Sequence, residues 1–429
     1  MKIKKIVFLT LFIINSLTYA QSYKYARYCA KNLASKEFYG RGYMNNGDKI
    51  AADFIISELQ TSGFSNTNFN QNNSSSIEVQ KLPVKINNIE KLSLKLHNED
   101  TLRVEGKDYL VHGSSAKSYL KLKNAKCLIF KDKAQFEKFN SKKIDDNILI
   151  FNQKTISSRD ISLIIRNLAK SDYFPKLIII QGYEKIMYPI ATYTVKFPIL
   201  LLKGEEFKKN KIDYLELDID SKFIPQYETQ NIWARIEGTR CKDSTIVFVS
   251  HYDHLGMCGN AVFQGASDNA SGVSVNLDLA KYYAKNPQPY SIVFIFTIGE
   301  EIGLVGSSYA AEYPLIDLSK TKFLMNFDMP STGSWSFNIV NATEIPDKAQ
   351  IFVDINDEVQ AFNDIVLGGT SCNSDHCPFI QKGVPGFFIL THGIENMEYH
   401  TIYDTPDVLT FTKHVDFCNY IKEFVRRIQ

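Results

Sequence analysis

The spacing of apolar residues changes twice along this chain of 429 residues. From 23 to 62 it is helical: Ala51, Phe54, Ile55 and Leu59 recur on one face until Ser62-Gly63 stops the pattern, and a Gly40-Arg41-Gly42 turn interrupts it. The polar stretch SNTNFNQNNSSS (65 to 76) cannot offset its ordering entropy by burial and reads as a loop or boundary. From about 81 to 225 the texture is strand-like, with short apolar runs at Leu92–Leu96, Cys127–Phe130, Ile148–Phe151, Leu177–Ile180 and Phe197–Leu202 between charged turns.

From 226 onward, apolar runs alternate with helical stretches, which predicts an α/β architecture with a mixed central sheet flanked by helices. The runs STIVFVS (244 to 250), SIVFIFT (291 to 297), FLMNF (323 to 327) and GFFIL (386 to 390) are nearly continuous in apolar residues, the mark of strands covered on both faces. The last helix, Thr412 to Ile428, buries Val415, Cys418, Ile421, Phe424, Val425 and Ile428 and reads as structural. Each of the first three runs ends at a polar cluster: His251-Tyr252-Asp253-His254, Gly299-Glu300-Glu301 and Asp328. Sites in open α/β sheets form just beyond the carboxyl ends of strands.

The N-terminus adds a location. Residues 1 to 20 carry three lysines, an apolar run and Thr18-Tyr19-Ala20, the pattern of a cleaved signal peptide, and the run is too short to span a bilayer. The expected mature chain is exported, periplasmic or secreted, without a transmembrane anchor. Loss of three lysines leaves 46 basic against 47 acidic residues, a balance that argues against a nucleic-acid partner. The charge is uneven, 27 basic to 18 acidic over 81–225 and 13 to 24 over 226–429; the second excess suits a cation site or a solvated surface. Seven cysteines leave at least one free or bonded to another chain, and Cys372 and Cys377, flanking Asp375-His376, are placed for a local disulfide.

Candidate chemistry gathers at the strand ends. His251, Asp268, Glu301, Asp328 and His400 supply two imidazoles and three carboxylates, a set suited to Zn²⁺ and tolerant of Co²⁺ or Mn²⁺. Five ligands are too many for one tetrahedral ion but suit two ions sharing a bridging carboxylate. Of the adjacent pair after SIVFIFTIG, Glu300 is assigned as general base and Glu301 as ligand, since neighbouring residues leaving a strand project differently. His97, His112, His392 and His414 read as structural, and Ser307 as a helix-packing residue with no adjacent base.

The segments SHYDHLG (250 to 256), GASDNASG (265 to 272), GEEIGLVGS (299 to 307), NFDM (326 to 329), SDHCPF (374 to 379) and EYHTIYDTPD (398 to 407) resemble, in order and spacing, the bacterial leucyl aminopeptidase and glutamate carboxypeptidase family of two-zinc metallopeptidases. ASKEFYGRGYMNNGDKIAADFIISELQTSGF (34 to 64) is similar to that family's N-terminal entry segment. The resemblance implies a peptidase domain split into 21–80 and 226–429 around an inserted, smaller β-rich domain at 81–225, which faintly resembles a protease-associated domain. It also implies that His251 and Asp328 bind one zinc, Glu301 and His400 the other, and Asp268 both. Asp253 would orient the first imidazole, and Tyr399 would hydrogen-bond the oxyanion. His254 and His376 fall in family motifs as loop-anchoring or substrate-side residues. The implied activity is that of a zinc exopeptidase, most simply an aminopeptidase acting on peptides with a free N-terminus. The alternatives are a single-zinc glutaminyl-peptide cyclase and a non-catalytic binding protein on the same fold.

Overall fold

A computed structural model describes residues 23–69, 74–97, 103–139, 143–333, 335–393 and 397–428. The signal-peptide segment, 1–20, lies outside the described residues. Among those described, no helix is long and apolar enough to cross a membrane.

One hydrogen-bonded sheet runs through the molecule. Its order begins Asp364–Leu367, Ser336–Val340, Gly386–His392, Thr321–Phe327, Cys241–His251, Tyr290–Thr297 and Lys211–Ile236. It continues through Ser118–Phe130, Ile148–Asn152, Leu177–Tyr183, Ile199–Lys203 and Tyr109–Val111. The four expected apolar runs lie within four adjacent parallel strands, so their carboxyl ends open on one side. Ile246, Phe248, Phe294 and Met325 face the first core with the helices Gly47–Thr61, Ser271–Lys285 and His414–Arg427. Val247, Val249, Val293 and Ile295 face a smaller cluster on the other side with Ala310 and Phe379. Burial on both faces explains why these runs do not alternate in polarity.

Two strands are much longer than the pattern suggested. Ser75–Leu96 and Lys211–Ile236 pair antiparallel over most of their length and run from the first core into a second. Their apolar residues alternate with charged ones, as Ile212, Leu215, Leu217 and Ile219 do, so only one face is buried. The polar stretch 65–76, expected as a loop, contributes backbone pairs at both ends, Ser65 with Ser76 and Asn66 with Ile77. Ladder bonds come from the main chain, and the long neighbouring strand overrides side-chain propensity.

The second core takes in Ile89, the strands at 109–111, 127–130, 148–151, 177–180 and 199–202, and Leu255, Cys258 and Phe263. It also contains a helix, Ser158–Ala169, where only strand texture was expected. Ser157 accepts from Asp160 N at its start, and Ile161, Ile164, Ile165 and Leu168 line its buried face. Cys372 and Cys377 are bonded as a disulfide.

Candidate metal centre

The strand ends deliver the expected groups to one place. His251 closes Cys241–His251 opposite Thr297, Glu300 and Glu301 follow Tyr290–Thr297, and Asp328 follows Thr321–Phe327. Asp268 comes from the turn Ala266–Ala270, which leads into the helix Ser271–Lys285, and its peptide bond to Asn269 is cis. His400, at φ +56°, lies in the loop that follows Gly386–His392.

Asp268 sits between two halves. Its Oδ1 is 3.4 Å from His251 Nε2, which is itself 3.3 Å from Asp328 Oδ1. Its Oδ2 is 3.1 Å from His400 Nε2, which is 3.0 Å from Glu301 Oε2. All five expected ligands therefore converge, with the carboxylate expected to bridge in the middle. His251 Nε2 and Asp328 Oδ1 are buried with no hydrogen-bond partner, although each needs one.

The remaining expected residues surround this group. Asp253 is fully buried; its carbonyl oxygen is 3.2 Å from His251 Nδ1 and its carboxylate Oδ1 3.8 Å away. The imidazole is thus held mainly by the backbone of Asp253, while Oδ1 accepts from Glu300 N–H at 3.3 Å. Tyr399 is half exposed and stacks on the His400 ring, centroids 3.7 Å apart. His254 is closer to the centre than a loop anchor: its Nδ1 is 2.7 Å from Glu301 Oε1 and 3.8 Å from Asp268 Oδ2. Gly265 admits it, since at φ +59° a Cβ there would lie 2.4 Å from the His254 ring. His376 does anchor a loop, its Nε2 lying 2.8 Å from Ser371 O.

Four residues were not singled out for the site. Buried Arg41 donates to the carbonyls of Tyr252, Gln264, Gly265 and Asp268 as well as Leu33, pinning the two loops that carry His254 and Asp268. Asp404 accepts from the Ser267 and Asp268 N–H groups at 2.8 and 3.0 Å. Asp375 accepts from Thr297 Oγ1 at 2.6 Å, and the neighbouring Ser374 donates to Asp328 Oδ2 at 2.8 Å. The only sequence signal for these was their presence in or beside the motifs; their partners are far away in the chain.

The charges are strongly coupled. Burial pushes the Glu300 carboxyl well above its ordinary range, and Glu301, Asp328 and Asp375 add to this against the pull of His251. Glu301 moves the other way despite burial, because His400 and His254 face it. Burial lifts Asp253 to about 7 and Asp404 to about 6. His400 rises to about 11: burial opposes the shift, but Glu301 and Asp268 outweigh it. Adjacent carboxylates held so differently can do different jobs.

Residues 231–425 match the family described as Peptidase family M28. The resemblance carried by the motifs holds over that segment. The aminopeptidase YwaD of Bacillus subtilis is 28% identical over 247 residues, 54% of this chain and 51% of the relative. A vacuolar membrane protease of Eremothecium gossypii is 25% identical over 187 residues, 42% of this chain and 18% of the relative. The chain thus spans about half the length of the first relative and less than a fifth of the second. Among solved structures, a zinc aminopeptidase from Bacillus subtilis superposes with TM-score 0.70 at 18% identity, covering 94% of both chains. A peptidase M28 precursor from Shewanella amazonensis gives 0.69 at 17% identity over 97% and 96% of the two chains. The fold, including the second core, is that of these enzymes.

Proposed function

We propose that this chain is a zinc-dependent exopeptidase, most simply an aminopeptidase that removes the N-terminal residue of peptides. The observation that carries the reading is Asp268 lying between a His251–Asp328 pair and a His400–Glu301 pair.

The residues fit two zinc ions. The buried carboxylates of Asp253, Asp268, Asp328, Asp375 and Asp404 and the partly buried residues Glu300 and Glu301 crowd one place, with Arg41 and three imidazoles as the opposing groups. Burying so much negative charge is costly unless cations offset it. His251 and Asp328 would hold one ion, Glu301 and His400 the other, and Asp268 both. His254, hydrogen-bonded to Glu301, and Asp253, behind His251, would fix the ligands in place. When bound, such ions lower the pKa of a water and polarise the scissile carbonyl.

The chain supplies the rest. Glu300 projects beside this group with a carboxyl that burial and then neighbouring acids make basic, so it can accept the proton of the attacking water. It then returns that proton to the nitrogen of the leaving amine. The hydroxyl of half-exposed Tyr399, kept protonated by its partial desolvation and then by Asp268 and Glu301, is a donor for the carbonyl oxygen as negative charge develops there. Replacing Glu300 with Gln tests the assignment: turnover should fall steeply with metal content unchanged, and near-normal turnover would overturn it.

The region 81–225 is read as an inserted lobe that braces the His400 loop. Lys185 Nζ pairs with Glu398 Oε1 at 2.5 Å, and Tyr188 N–H donates to His400 O at 3.2 Å. Export is part of the same proposal, resting on residues 1–20 and supported by the Cys372–Cys377 disulfide, a bond typical of oxidising compartments. N-terminal sequencing of the mature protein tests it.

A further inference from the structure

A second cluster of metal-binding side chains lies away from the strand ends. His414 and Cys418 are four residues apart on the helix His414–Arg427 and therefore share one face. That face meets Asp278 on the helix Ser271–Lys285. His414 Nε2 is 3.1 Å from Asp278 Oδ2 and 3.6 Å from Cys418 Sγ, and one donor atom from each residue lies within 4.8 Å of the others. All three side chains are buried.

We propose that Asp278, His414 and Cys418 form a thiolate-bearing divalent-metal site, separate from the strand-end centre and suited to Zn²⁺. Tetrahedral zinc with ordinary bond lengths separates N and S donors by about 3.6 Å and N and O donors by about 3.4 Å, close to the spacings here. The other His414 nitrogen is 3.1 Å from Ser331 Oγ, the outer partner that fixes a ligating imidazole and leaves Nε2 for the ion. A fourth position is available to water. Asp278 and Cys418 line a cavity of about 940 Å³, which is also lined by Tyr283, whose hydroxyl is buried without a hydrogen-bond partner. An ion here would clamp the C-terminal helix to the helix that continues from the Asp268 turn.

Cobalt titration of the full-length mature chain tests this by a signal the strand-end centre cannot give, because no thiolate is among its groups. Bound Co²⁺ should produce a thiolate-to-cobalt charge-transfer band that persists in His251→Ala and disappears in Cys418→Ser. In urea at the unfolding midpoint of the metal-free chain, where buried Cys418 becomes intermittently accessible, zinc should protect Cys418 from iodoacetamide more than it protects buried Cys29, read by peptide mass spectrometry, with exposed Cys241 alkylated in both states as the control. This readout does not depend on Cys418→Ser folding, and Asp278→Asn should reduce the protection. Absence of the band from folded, cobalt-saturated protein, its survival in folded Cys418→Ser, or equal alkylation of Cys418 with and without zinc would reduce the cluster to a buried imidazolium–carboxylate pair and overturn the proposal.

Discussion

The two halves of the strand-end centre are built differently. His251 is the last residue of a central strand, fully buried, backed by the Asp253 carbonyl and faced by Asp328. His400 lies in a loop, its side chain 21% exposed, with half-exposed Tyr399 stacked on it and the Tyr188 N–H bonded to its backbone. One half takes its geometry from the sheet. The other takes only Glu301 from a strand end; its imidazole is held by contacts between segments distant in sequence, so this half can respond to movement of residues 185–188.

The largest expected effect falls at Glu300, beside both halves. Glu300→Gln should lower kcat by about 10²- to 10⁴-fold, the range for loss of a general acid–base, while metal analysis finds the wild-type content. Next is a matched pair, His251→Ala and His400→Ala. Both should lose zinc, but removing His251 strands buried Asp328 and Asp253 and should cost the metal-free fold about 3–5 kcal/mol. Removing the partly exposed His400 should cost far less, so equal losses in urea denaturation would erase the distinction between the halves.

Acidification should act around His112. Burial lowers the His112 pKa from 6.5 to about 4, and its Nδ1 accepts from Ser114 N–H at 3.1 Å, which requires the neutral ring. Between those values the unfolded chain binds a proton that the folded chain does not. The contribution is therefore complete above pH 6.5 and lost as pH falls toward 4, on the order of 3 kcal/mol in all. His112→Gln should flatten this part of the pH–stability curve; an unchanged slope would count against the assignment. The smallest effect is Lys185→Ala. An ion pair this exposed should contribute less than about 1 kcal/mol, so any change should appear in KM or zinc affinity at the His400 half and leave Tm within a degree or two.

The same contrast governs what could be read from the chain. His251, Glu300, Glu301 and Asp328 were visible because continuous apolar runs mark buried parallel strands, and polar residues just past such runs stand at the open edge of the sheet. Asp268 and His400 follow no such run, and their roles came from the motif resemblance. Arg41 looked like part of a turn; its work is to bind carbonyls more than 200 positions away, a relation that local spacing cannot express. His254 was placed too far out for a similar reason, since its 2.7 Å contact with Glu301 depends on two loops meeting. The helix Ser158–Ala169 was hidden by the strand texture around it, although its apolar residues carry a helical period.

Cleavage of one peptide in two forms, unblocked and N-acetylated, by the zinc-loaded chain decides whether the strand-end centre is that of an aminopeptidase. The N-terminal residue should be released from the unblocked form alone, with release abolished by chelation and restored by zinc. Hydrolysis of the acetylated form at a comparable rate, or of neither form by zinc-saturated protein, would contradict that reading.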